Sequence, residues 1–128
     1  MEMKMNFRSS ILATITLMSV SHFALAISVT PTKSIAEILS SLNHAPTAEQ
    51  RAELLDIGRD GAYSPNIQAI AQAVHNIRHS ATVLDKKKMT DIAQDASATF
   101  SEQKLAKVVA EISHAADNKA RRALASIN

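Results

Sequence analysis

The chain has 128 residues, 14 Lys and Arg against 12 Asp and Glu, and no cysteine. A net charge of +2 gives nucleic-acid binding no electrostatic footing. The missing cysteine excludes disulfide staples, thiol chemistry, covalent c-type haem attachment and a lipid-modified N-terminus.

The first element in chain order is a targeting segment. Lys4 and Arg8 flank the start of an apolar run, ILATITLMSVSHFALA, which closes on Ala24-Leu25-Ala26, a small-x-small cleavage pattern. The run is about 16 residues long and is interrupted by Thr, Ser and His22, short of the ~20 a spanning helix needs. The expectation is a signal peptide over 1–26, cleavage after Ala26 and a periplasmic or secreted product. The remaining stretch, 27–128, carries 12 Lys and Arg against 11 Asp and Glu, so the positive excess belongs largely to the signal. Its length suits one small domain, which has to be held by helix packing, assembly or a partner, because small exported domains otherwise rely on staples.

A helix is predicted over 33–43, where Ile35, Leu39 and Leu42 keep the spacing of one face. "HAPT" then turns the chain, and Thr47 with Gln50 makes a capping-box pattern opening a second helix over 47–58, with Leu54 and Ile57 as its apolar stripe. The linker "GRDGAYSPN" holds Gly58, Gly61 and Pro65 and reads as a firm break. The apolar spacing, the histidine and the N-cap residue type return 35 residues later without a gap. Ile70, Val74 and Ile77 mark a helix over 67–79, "HSAT" the turn, and Met89 and Ile92 a helix over 83–95. The softer joint "AQDASATFS" follows. Leu105, Val109 and Ile112 then mark 102–114, "HAAD" the turn, and Leu124 and Ile127 a last helix over 118–127. The fold class predicted is therefore all-α, three stacked helical hairpins in 35-residue repeats at about 31–65, 66–100 and 101–128, arranged as a short α-solenoid or a compact six-helix bundle.

The period resembles that of short helical-hairpin repeats, and "NKARRALASI" is similar to the basic-then-apolar second helix of HEAT-type units. That resemblance is one of architecture and implies an extended surface for partner binding.

His44, His79 and His114 occupy the same place in each unit. The expected role is structural: a donor in the last turn of a first helix, close to free carbonyls and the negative end of the dipole. Equivalent positions in stacked hairpins lie about 10 Å apart, a helix-packing distance, too far for a shared metal with ligands at ~2 Å. His75 and His79, four apart in "HNIRH", form a weak metal candidate that lacks the glutamate of the metalloprotease pattern. No cofactor and no other metal site is predicted.

Arg51, Lys86 and Arg121 are equivalent by the same register and, with Lys87 and Arg122, form a candidate basic binding stripe along stacked second helices. Tyr63 and Phe100, the aromatics of the two linkers, are candidate seam plugs or anchors. Asp56, Asp60, Asp91 and Asp95 read as helix-surface carboxylates rather than an acid pair. With no nucleophile motif and no phosphate-cradling glycine loop, catalysis is not expected.

The function expected is that of an exported, non-catalytic helical protein that binds another protein as adaptor, inhibitor or immunity-like factor. The alternative is a small periplasmic stress or metal-binding protein using its histidines as pH sensor or ligands. The processing expectation has a direct check: the intact mass of the exported product should correspond to a chain beginning at Ile27, and retention of 1–26 in a membrane fraction would contradict it.

Overall fold

The computed structural model describes residues 29–127. The signal peptide and cleavage site expected over 1–26 lie outside them. The described residues form six helices: α1 Pro31–Ser41, α2 Ala48–Arg59, α3 Pro65–His75, α4 Val83–Gln94, α5 Phe100–Glu111 and α6 Asn118–Ala125. Among them there is no β-strand, and no helix is long and apolar enough to cross a membrane.

Capping chemistry decides where these helices start. Thr30, Ser64 and Thr99 cap α1, α3 and α5, each accepting from the backbone N–H three residues on. The helices begin about two residues before the expected bounds. Pro31 and Pro65 occupy first-turn positions, where a missing N–H costs nothing. Thr47, Thr82 and Asp117 cap α2, α4 and α6, and Thr47 and Gln50 exchange both bonds of a capping box at 3.2 and 2.9 Å.

The C-termini of α1, α3 and α5 come earlier than the apolar pattern suggested. Leu42 and Ile112 leave α1 and α5 with ψ of 130° and 137°. Leu42, Ile77 and Ile112 are buried although they lie outside the helices, so the 35, 39, 42 spacing marks burial beyond the helix end as well as within it. His79 and His114, expected inside helices reaching 79 and 114, therefore stand four and three residues past the last helical residue.

α1, α3 and α5 touch one another and form the inner layer; α2 lies mainly on α3, α4 mainly on α5, and α6 on both α1 and α5. α2, α4 and α6 have no contact with each other. The expected hairpins α1–α2 and α3–α4 share only limited packing, and the close pairs form across the linkers instead. Ile35, Leu39, Ile70, Val74, Leu105 and Val109 from the inner helices, with Leu54, Met89 and Leu124 from the outer ones, are almost completely buried.

Both linkers fold alike despite their different composition. The Asp60 carboxylate accepts from the N–H of Ala62 at 2.8 Å, and Asp95 accepts from that of Ser97 at 2.8 Å. Gln68 donates to the Asp60 carbonyl and Gln103 to the Asp95 carbonyl. The hydroxyl and amide of Ser97 hold the Asp95 carboxyl below its ordinary range. Neither glycine has a positive φ. Gly58 lies within α2, where a Cβ would stand 3.1 Å from Gln72 Cγ, so its role is close approach of α2 to α3 rather than a break.

Away from the histidine turns, Glu102 is 5% exposed. Its carboxylate accepts from the hydroxyl of Ser64 at 2.5 Å, from Asn66 at 3.2 Å and from the N–H of Thr99 at 3.0 Å, joining the starts of α3 and α5. Burial alone would raise its pKa, but the bonds from Ser64, Thr99 and Asn66 outweigh it and hold the carboxyl below the ordinary 4.5. A lowered folded pKa stabilises the fold above the unfolded value, and that contribution disappears as pH falls through the folded one.

Two outcomes follow from this packing. Leu54→Ala should cost about 2–5 kcal/mol in urea unfolding, the range for a fully buried leucine. Glu102→Gln should lower stability at pH 7 and flatten the loss that the parent protein shows on going from pH 5 to pH 3, read from the same urea curves at each pH.

Candidate metal centre

The three "H-x-x-T/D" turns meet at one end of the inner helices. His44, His79 and His114 have φ of 66°, 67° and 66°, and they are the only non-glycine residues with positive φ among the described residues. Their backbones form a closed cycle: the His79 N–H donates to the His44 carbonyl at 2.6 Å, His114 to His79 at 2.5 Å, and His44 to His114 at 2.6 Å. At His44 and His114 the flanking residues also bond two apart, Ala45 to Asn43 at 2.8 Å and Ala115 to Ser113 at 2.7 Å, the γ-turn of the rarer, positive-φ kind.

Each left-handed turn costs a side-chain-bearing residue roughly 1–2 kcal/mol, a cost glycine does not meet. Histidine tolerates the region better than most residues, yet three of three positions carry it. Once the turn is in place, its side chain needs a reason of its own.

The rings gather above the cycle. Their centroids lie 5.0, 5.3 and 5.1 Å apart in edge-on arrangements, and one nitrogen from each falls within 4.8 Å of the other two. All three side chains are exposed. A tetrahedral metal with nitrogen ligands at 2.0–2.1 Å needs those nitrogens about 3.3 Å apart, so the rings must close by about 1.5 Å at most. That is within the reach of exposed side chains.

The polar neighbours suit ligation. His44 Nδ1 is 2.6 Å from Asn43 Oδ1; a carboxamide oxygen only accepts, so this contact suits the Nδ1–H tautomer, the one whose Nε2 can bind a metal. His114 Nδ1 is 3.0 Å from the Ser113 hydroxyl. Metal-bound imidazoles are commonly oriented by such a bond from the other nitrogen.

The sequence expectations for the histidines are corrected here. The histidines are not last-turn donors; they form left-handed turns beyond the helices. Nor are they 10 Å apart, because the His44–His114 bond closes the chain on itself and brings equivalent positions to a common axis. His75 and His79 do not share a helix face, because α3 ends at His75. His75 Nδ1 instead stands 3.3 Å from Asn76 Oδ1.

Arg51, Lys86 and Arg121 lie on α2, α4 and α6, helices that make no direct contact with one another. Arg51 Nε donates to the Pro46 carbonyl. Lys87 pairs with Asp91 at 3.3 Å on an open surface, a contact of small energetic consequence, and Arg122 is exposed. Tyr63 packs partly buried against the core. Phe100 is exposed under the Lys104 ammonium, 4.1 Å from the ring centre. Neither the families, the curated proteins nor the solved structures compared with this chain gave a match.

The turn and the ring can be separated by mutation. His79→Gly should leave stability within about 1 kcal/mol of the parent, since relief of ~1–2 kcal/mol of backbone strain offsets ~0.5–1.5 kcal/mol of ring contact. His79→Val keeps the strain, adds β-branching and should be clearly less stable, as thermal unfolding of the three proteins would record.

Proposed function

We propose that this chain is an exported, non-catalytic protein that binds a divalent transition metal through His44, His79 and His114. The carrying observation is that three imidazoles, each fixed on a strained turn 35 residues from the next, present nitrogens within 4.8 Å of one another. Imidazole suits zinc, copper, nickel and iron, and the lack of cysteine disfavours soft Cu(I). Three protein ligands leave further positions open. Because the rings are exposed, the ion can exchange with solvent, which fits buffering or carrying a metal in the periplasm better than a buried structural role. We read the fold as three units on a 35-residue period, at about 31–65, 66–100 and 101–128, closed into a ring with the metal site on its axis.

The second reading, binding of another protein, is favoured by one observation: Val83 and Leu84, adjacent at the start of α4, are 87% and 76% exposed.

Zinc should raise the thermal midpoint of the parent, by the equivalent of about 2.7 kcal/mol at a free concentration one hundred times its dissociation constant. A protein with all three histidines changed to glycine should fold and show no shift. A shift that survives the triple change would refute the site.

A further inference from the structure

The first turns of the outer helices surround the three histidines, and they differ in a telling way. Glu49, Leu84 and Lys119 are equivalent under the 35-residue register, five residues beyond His44, His79 and His114 respectively. Each is exposed. One is an acid, one is apolar and one is a base. Val83 joins Leu84 as uncovered apolar surface at this end of the molecule.

We infer that the histidine pole is a self-complementary surface, and that a second copy of this chain, docked pole to pole, completes the coordination of one shared metal. The inference rests on the metal reading above. A two-fold axis perpendicular to the ring axis and passing by Leu84 sets Leu84 against its own copy. The same operation carries Glu49 onto Lys119 of the other copy, and Lys119 onto its Glu49. An isologous contact requires this pairing of a patch with itself, and the three equivalent positions meet it in one orientation only. Either of the other two pole-to-pole settings sets Glu49 against Glu49 or Lys119 against Lys119.

Coordination points the same way. Three histidines on an exposed pole bind one face of an ion, and the vacant face looks directly away from the protein. Three more imidazoles from an inverted copy fill it and give six nitrogen ligands. Arg78, exposed beside His79, shares a groove with Arg51 and His75 between α2 and α4. The two-fold therefore sets it against the far side of the other copy's α4, away from its own counterpart. The contact is confined to one end of a small protein, and in this reading the shared ion supplies the association, the metal-free chain being a monomer.

Sedimentation of the mature chain, titrated with zinc and separately with cobalt(II), tests this. The expected result is a monomer without metal, a dimer at one ion per two chains, and the weak visible absorption of six-coordinate cobalt. A monomer binding one ion per chain, with the intense absorption of tetrahedral cobalt, would overturn the dimer and leave the metal site standing; no binding would overturn both. Glu49→Lys should weaken dimerisation about tenfold through like-charge contact, and adding Lys119→Glu should restore it. Leu84→Glu should reduce dimerisation while metal binding by the monomer persists. Failure of the charge exchange to restore a dimer that does form would overturn the proposed orientation.

Discussion

The cycle of three backbone hydrogen bonds among His44, His79 and His114 is the constraint on which the rest of the arrangement depends. Two of its bonds join neighbours in sequence order; the third, from His44 to His114, ties the first unit to the last. A ring of amides satisfies three donors and three acceptors at a point where the chain leaves one helix and enters another. Each histidine enters this cycle with a positive φ. Strain and closure are thus one feature, and the side chains that ride on it converge because the backbones do.

Much of the fold was legible. Amphipathic spacing located six helices, and Thr47, Thr82 and Asp117 marked three starts because a capping side chain has a local energetic signature. Pro31 and Pro65 were underused: a proline in the first turn opens a helix as readily as one further along ends it. The leucine and isoleucines at 42, 77 and 112 misled in the other direction, since a buried residue just outside a helix extends the apparent period.

The site was hidden by one quantity that a linear sequence does not contain, the rotation between successive units. The same 35-residue register is compatible with an open stack and with a closed cycle of turns. In a stack His44, His79 and His114 would be separated by a helix diameter, whereas the closed cycle of backbone bonds brings their rings within 5.3 Å of one another. Three histidines at turns where glycine is the cheapest residue were a usable signal, but only once the left-handed backbone was known. The basic residues illustrate the converse. Arg51, Lys86 and Arg121 are equivalent in the register, yet they lie on outer helices that make no direct contact with one another.

The seam between α6 and α1 differs from the other two. α2 continues into α3, and α4 into α5, through a turn built on Asp60 or Asp95; nothing of that kind joins the last helix to the first, whose facing surfaces include Lys33, Glu37, Leu124 and Ile127. An ion held by both His44 and His114 would act there as a cross-link between residues far apart in the chain. In chain-entropy terms, closing a loop of about 70 residues restricts the unfolded ensemble by about 4 kcal/mol. A domain with no cysteine would then have, in an imidazole-bound ion, a reversible counterpart of the disulfide that exported proteins of its size commonly use, one governed by metal supply rather than by redox potential.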